Sequence, residues 1–80
     1  MARYITGSVR DSVTKEGIPG ARVLVKGTII DTITDVYGFY SINAPEGNIV
    51  LIATFLGYIK EEQKVGSKSK VDFLLKEDVV

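Results

Sequence analysis

Apolar and polar residues alternate along this chain with a period near two and almost nowhere with a period near 3.6. No stretch holds apolar residues at i, i+3, i+4 and i+7 for two turns without meeting glycine or a β-branched cluster, so strands are expected and helices are not. YITGSV, residues 4–9, reads as a first strand. In ARVLVKG, residues 21–27, Ala21, Val23 and Val25 share one face and Arg22 and Lys26 the other, with Leu24 the exception. IIDTIT (29–34) and FYSIN (39–43) follow as strands, then IVLIATF (49–55), apolar on both faces as in a central strand covered on each side. YIKEEQKV (58–65) is mostly charged, which suits an edge, where charge deters pairing with another chain. VDFLL (71–75) closes the pattern with Val71, Phe73 and Leu75 on one face.

Between these runs lie turn signals. DSVTKEGIPG (11–20) ends in Pro19 and Gly20, APEGN carries a corner at Pro45 and Gly47, and Gly57–Tyr58 marks another corner. Short strands with turns about every ten residues predict an all-β fold, a seven-stranded antiparallel Greek-key sandwich of two sheets. No repeat, linker or low-complexity stretch interrupts it, and residues 77–80 read as a tail.

Composition narrows the picture. Eighty residues make a single domain, 1–80, and a chain of this size buries only about 60% of its unfolded surface. Cysteine and histidine are both absent, so no disulfide staples the fold and a structural zinc would lack its usual ligands. The apolar fraction of 45% is what must stabilise it. Ten basic and ten acidic residues cancel, leaving no field to draw nucleic acid. The apolar run 49–59 is far shorter than the roughly 20 residues of a membrane helix, so direct membrane insertion is not expected.

Chemistry is sparse. Without histidine or cysteine, the commonest general base and the strongest nucleophile are missing. The serines and lysines of GSKSK sit in a loop that offers no desolvation to lower a lysine pKa. Asp31 and Asp35, four residues apart on one strand, would lie about 13 Å from each other, too far for one calcium ion or a glycosidase pair. TDVYGFYSI, residues 34–42, is better explained as a turn. Asp at its first position and Gly at its fourth suit a type I turn, with the Asp35 carboxylate taking a backbone N–H two residues on and Gly38 supplying positive φ to close a hairpin. Alternation then places Tyr40 and Ile42 inward and Phe39 outward, leaving Tyr37 and Phe39 as a candidate contact pair for a sugar or a protein partner. At Gly57–Tyr58 the ring should pack, with its hydroxyl on a backbone partner.

The ordered pieces ITGSVRD, GIPGARVLVKGT, TITDVYGFYSINAPEG, FLGY and VDFLLKED resemble the carboxypeptidase-regulatory-like domain family. They most resemble the form found at the N-terminus of SusC/RagA-type TonB-dependent outer-membrane transporters of Bacteroidetes. Pro19, Gly20 and Ala21 fall on that family's entry into the second strand, and Gly27 and Thr28 on its exit. Thr34, Asp35 and Gly38 fall on its Thr-Asp-x-x-Gly turn, Pro45 and Gly47 on its Pro-x-Gly corner, and Gly57 and Tyr58 on its Gly-Tyr corner. Asp31 and Tyr37 depart from it, standing where relatives usually carry a small residue and a polar turn residue.

The resemblance implies a transthyretin-like (prealbumin-like) sandwich and a non-enzymatic accessory role without a cofactor, at the periplasmic face of the outer membrane. It implies partners in the plug or barrel of the same parent chain or in a neighbouring subunit. Export is implied although strand-like sequence begins near residue 3, and KEDVV ends before any plug or barrel, so a domain excised from a longer chain is expected. The alternative is a carbohydrate- or protein-binding sandwich of a surface protein, or an accessory domain of a peptidase. An adhesin-type isopeptide crosslink is not expected, since residues 4–9 hold no lysine and residues 49–55 no acid.

Overall fold

The computed structural model describes residues 2–79, which form seven strands and no helix. These are β1 (Ala2–Asp11), β2 (Arg22–Val25), β3 (Asp31–Ile33), β4 (Phe39–Pro45), β5 (Val50–Thr54), β6 (Glu61–Lys64) and β7 (Phe73–Leu75). They build a three-stranded sheet, β4-β1-β7, and a four-stranded sheet, β3-β2-β5-β6. The inner faces of the two sheets enclose one core.

Period-two alternation sets that core. Ile5 and Val9 of β1, Val23 and Val25 of β2, and Tyr40, Ile42 and Ala44 of β4 face inward beside Leu51, Ala53, Phe73 and Leu75. Full burial of a side chain such as Phe73 or Leu51 contributes about 1.5–3 kcal/mol. The Tyr40 ring lies 6.3 Å from Phe73, tilted by 48°. Its buried hydroxyl donates to the Val71 carbonyl at 2.6 Å. Opposite Tyr40 on β1 stands Gly7. A Cβ there would lie 1.8 Å from the Val71 oxygen, so only glycine lets the residues before β7 approach β1 so closely.

Several expectations need correction. Not every pairing is antiparallel: β1 and β7 run parallel, with Val9 opposite Phe73 and Asp11 opposite Leu75. They lie at opposite ends of the chain, and no hairpin dictates their sense. β1 is longer than residues 4–9 because its first part pairs with β4, from Ala2–Pro45 to Ser8–Phe39, and its last part with β7. β5 is interior to its sheet, yet Val50, Ile52 and Thr54 are only half-buried, on the face away from the core, where Ile52 has Leu24 and Glu62 as cross-strand neighbours. Pro45 ends β4 rather than turning a corner. β4 is an edge strand, so proline's missing N–H interrupts no ladder bond. The expected tail is tied down through Glu77, bridged to Tyr58, and Asp78, whose N–H donates to the Gly57 carbonyl. Its last residue, Val80, lies outside the described residues. β6, with its charges, is an edge strand.

Candidate functional site

The turn at 34–39 is built from one carboxylate outward. Asp35 Oδ1 accepts from the Tyr37 N–H at 2.9 Å and the Phe39 N–H at 3.0 Å. The Gly38 N–H donates to the Asp35 carbonyl, and the Asp35 N–H to the Phe39 carbonyl. Neither Val36 nor Tyr37 has positive φ, whereas Gly38 has φ +85°, which is the geometry of a type I turn closed by a left-handed residue. The flanking strands β3 and β4 belong to different sheets, so this turn carries the chain across the sandwich and closes no hairpin within one sheet.

Behind the turn, Thr34 is buried. Its hydroxyl donates to the Ile18 carbonyl at 2.6 Å and accepts from the Ala21 N–H at 2.8 Å. Gly38 packs against Gly17. A Cβ on Gly38 would lie 2.7 Å from Gly17 Cα, and one on Gly17 would lie 1.9 Å from the Tyr37 oxygen. The turn therefore rests on two mutually contacting glycines, of which the sequence reading singled out only Gly38.

Tyr37, at the tip, is 73% exposed, and Phe39, on the outer face, 49%. The Arg10 guanidinium lies 5.9 Å from the Phe39 ring centroid, a cation–π contact. Arg10 also donates to Ser8 Oγ at 3.2 Å and to the Lys15 carbonyl. Among the described residues no ring contact joins Tyr37 to Phe39. They are both exposed and not a stacked pair.

A second organised region lies where Asp11 meets Tyr58. Asp11 Oδ1 accepts from the Val13 and Thr14 N–H groups at 2.7 and 3.0 Å, and Oδ2 accepts from the Tyr58 hydroxyl at 2.7 Å. The Asp11 carbonyl takes the Lys15 N–H, and its own N–H donates to Glu16. The Thr14 N–H first, then the Tyr58 hydroxyl and the Val13 N–H, hold its carboxyl below the usual carboxylate value. The same hydrogen bond raises the Tyr58 phenol. The hydroxyl partner of Tyr58 is thus a side chain, not the backbone group expected. Its ring lies 6.1 Å from Phe55, and both line an open cleft of about 390 Å³ with Asp11, Glu16, Ile18 and Pro19.

The remaining turn residues sit at separate corners. Gly20, Gly47 and Gly57 have positive φ, Pro19 is exposed before Gly20, and the Tyr58 N–H closes a turn on the Phe55 carbonyl. Asp31 forms an ion pair with Arg22 at 2.7 Å, which occupies it apart from Asp35. Among the described residues no cluster of histidine, cysteine, aspartate or glutamate gathers to hold a metal ion. Asp11 and Gly17 were missed by sequence reasoning. An Asp heading a polar loop is a signal for an Asx-type turn, and it would have drawn attention to Asp11. Gly17's role depends on a segment twenty residues away and carries no local mark.

Two packed sheets joined by tight turns, with Tyr37 and Phe39 exposed, define a small β-sandwich module. The family model of the CarboxypepD_reg-like domain matches residues 5–80, and the chain belongs to that family. It is 39% identical over 74 residues to the TonB-dependent receptor SusC of Bacteroides thetaiotaomicron, covering 92% of this chain and 7% of that protein. It is 34% identical to the TonB-dependent receptor P3 of Formosa agariphila, over 95% of this chain and 8% of that protein. To the TonB-dependent receptor P26 of the same organism it is 36% identical, over 96% and 8%. The chain thus spans less than a tenth of the length of these relatives.

Proposed function

We propose that this chain is a non-enzymatic accessory domain of an outer-membrane TonB-dependent transporter of glycans or other large nutrients, standing on its periplasmic side. The observation that carries this reading is the asymmetry of coverage. Relatives named TonB-dependent receptors match 92–96% of this chain, while the chain corresponds to 7–8% of each. On this reading the module serves the receptor by contact and positioning. Its edges or outer faces would meet the plug or barrel of the parent chain or a neighbouring subunit, with Tyr37 and Phe39 as contacts. On this reading the sandwich is of the transthyretin-like Greek-key kind and 1–80 is one unit of a longer chain.

The test is made in the full-length receptor. Deleting residues 1–80 should leave its abundance in the outer membrane unchanged and lower uptake of its nutrient. A cysteine introduced as Tyr37→Cys should react with an impermeant maleimide only after the outer membrane is permeabilised. Labelling in intact cells, or uptake unaffected by the deletion, would overturn the reading.

A further inference from the structure

The molecule treats its sheet edges unequally. At the outer side of β7, Lys76 and Glu77–Asp78 bond to the segment 57–59, and Gln63 donates to the Asp72 carbonyl. β6, sequence EEQK, carries charges along its edge. β3 is only three residues long. β4, sequence FYSINAP, has seven residues and no charge. A long, uncharged edge is the kind that pairs with another strand.

The ladder shows which groups are open. The Val9 N–H donates to the Gly38 carbonyl, and Gly7, Ile5 and Arg3 stand opposite Tyr40, Ile42 and Ala44. Those even-numbered β4 residues therefore bond inward to β1, and the odd-numbered ones point their backbone groups outward. Phe39 is already satisfied, since Asp35 takes both its N–H and its carbonyl. Ser41 and Asn43 present N–H and C=O to solvent, and Pro45 presents C=O alone.

We propose that this edge pairs antiparallel with the same edge of a second copy of the chain, centred on Asn43. Two observations favour an identical partner. The formal net charge is zero at pH 7, so copies do not repel, and no charged side chain stands in β4. Asp35 fixes the register. A pairing centred on Ile42 would thrust the partner's Pro45, held against its own β1, into the place beside Phe39 that Asp35 fills. In the register centred on Asn43 the partner's Pro45 stands beside Ser41 instead, and the chain leaves the strand in a bend over 46–48 before reaching Phe39. Each Asn43 exchanges both of its bonds with the Asn43 opposite, and each Ser41 N–H meets a Pro45 carbonyl. The donor that Pro45 lacks is the one bond forgone at each end.

Facing residues in such a bonded pair have Cα atoms about 5.5 Å apart, within the roughly 4.4–6.8 Å of a disulfide. The chain has no cysteine of its own, so Asn43→Cys should form a covalent dimer under mild oxidation. Ser41→Cys should not, because its copies would lie about 13 Å apart. In the unmodified chain, exchange of the Ser41 and Asn43 amides should slow at least about fivefold from micromolar to millimolar concentration, and Ser41→Lys should abolish that slowing while keeping the fold. Equal crosslinking of both cysteine variants, or amide exchange independent of concentration, would overturn the proposal. So would a monomer whose Ser41 and Asn43 amides respond only to an added acetyl-TVTVT-amide peptide, which would give the edge to a foreign strand.

Discussion

The Tyr58 hydroxyl donates to Asp11 Oδ2 at 2.7 Å and ties two loops 47 residues apart in sequence. Asp11 is the hub of its own loop, and Tyr58 lies in the segment 57–59 that holds Glu77 and Asp78. One hydrogen bond thus links the end of β1 to the chain's last described residues.

Asp11 should make stability depend on acid pH. Its folded carboxyl titrates below the ordinary 3.8, so the unfolded chain binds a proton first as pH falls. Its contribution is full above about pH 4 and is lost on falling through the folded value. Asp11→Asn should therefore lower Tm at neutral pH, and the gap from the unaltered chain should narrow below about pH 4. Tyr58→Phe should also lower Tm at pH 7. Thermal melts of the three proteins across pH 2–7 check this, and a gap constant with pH would refute the role given to the carboxylate.

The glycine pair gives a graded prediction. Gly38→Val combines positive φ with overlap against Gly17 and Val9, and should cost at least about 2 kcal/mol. Gly17→Ala should be comparably damaging from overlap alone. Gly47→Ala, with φ +111° but nothing within 4 Å of the new Cβ, should cost only about 1 kcal/mol. Urea denaturation of the three variants ranks them, and a Gly17→Ala protein as stable as the parent would show the close approach to be wrong.

Tyr40 should resist ionisation. Burial first, and then the Asp72 charge, push its phenol well above the ordinary value of 10.0, and the bond to Asp11 raises Tyr58 as well. Both phenols are raised on folding, so their contribution is intact below about pH 10 and erodes above it as the unfolded chain ionises first. Absorbance at 295 nm should show part of the tyrosine signal lagging that of the urea-denatured chain. Tyr40→Phe, which leaves the buried Val71 carbonyl without its donor, should destabilise by about 1–3 kcal/mol.

Tyr37→Ala should leave stability within about 0.5 kcal/mol, as for an exposed side chain without a structural partner. If Tyr37 and Phe39 take sugars, amide shifts at residues 36–40 should move when oligosaccharides are added. Silence there would remove carbohydrate from the contacts considered for this face.

The sequence made the strands and turns legible because their causes are local. Alternation placed Val23, Val25, Tyr40, Ile42, Phe73 and Leu75 inward, and Asp35 with Gly38 carried its turn mechanism within a few residues. What escaped was non-local. The parallel sense of β1 and β7, the sheet change between β3 and β4, the Gly7 and Gly17 approaches and the Asp11–Tyr58 bond all join segments whose nearness depends on the finished packing. Ile52 misled because an apolar outer row framed by Glu62 and Asp31 reads, residue by residue, like a strand covered on both faces.

The parallel pairing of β1 with β7 has a mechanical consequence. Tension applied between the two ends of the domain would pull β1 toward its start and β7 toward its finish. Parallel strands loaded this way slide past each other, so their hydrogen bonds, with those of the Thr6 N–H to the Ser69 carbonyl and the Val71 N–H to the Thr6 carbonyl, must fail together. A hairpin pulled open at its mouth yields one bond at a time. Placed in series within a chain under load, this sandwich would act as a clamp that transmits force through its short edge instead of unravelling from it.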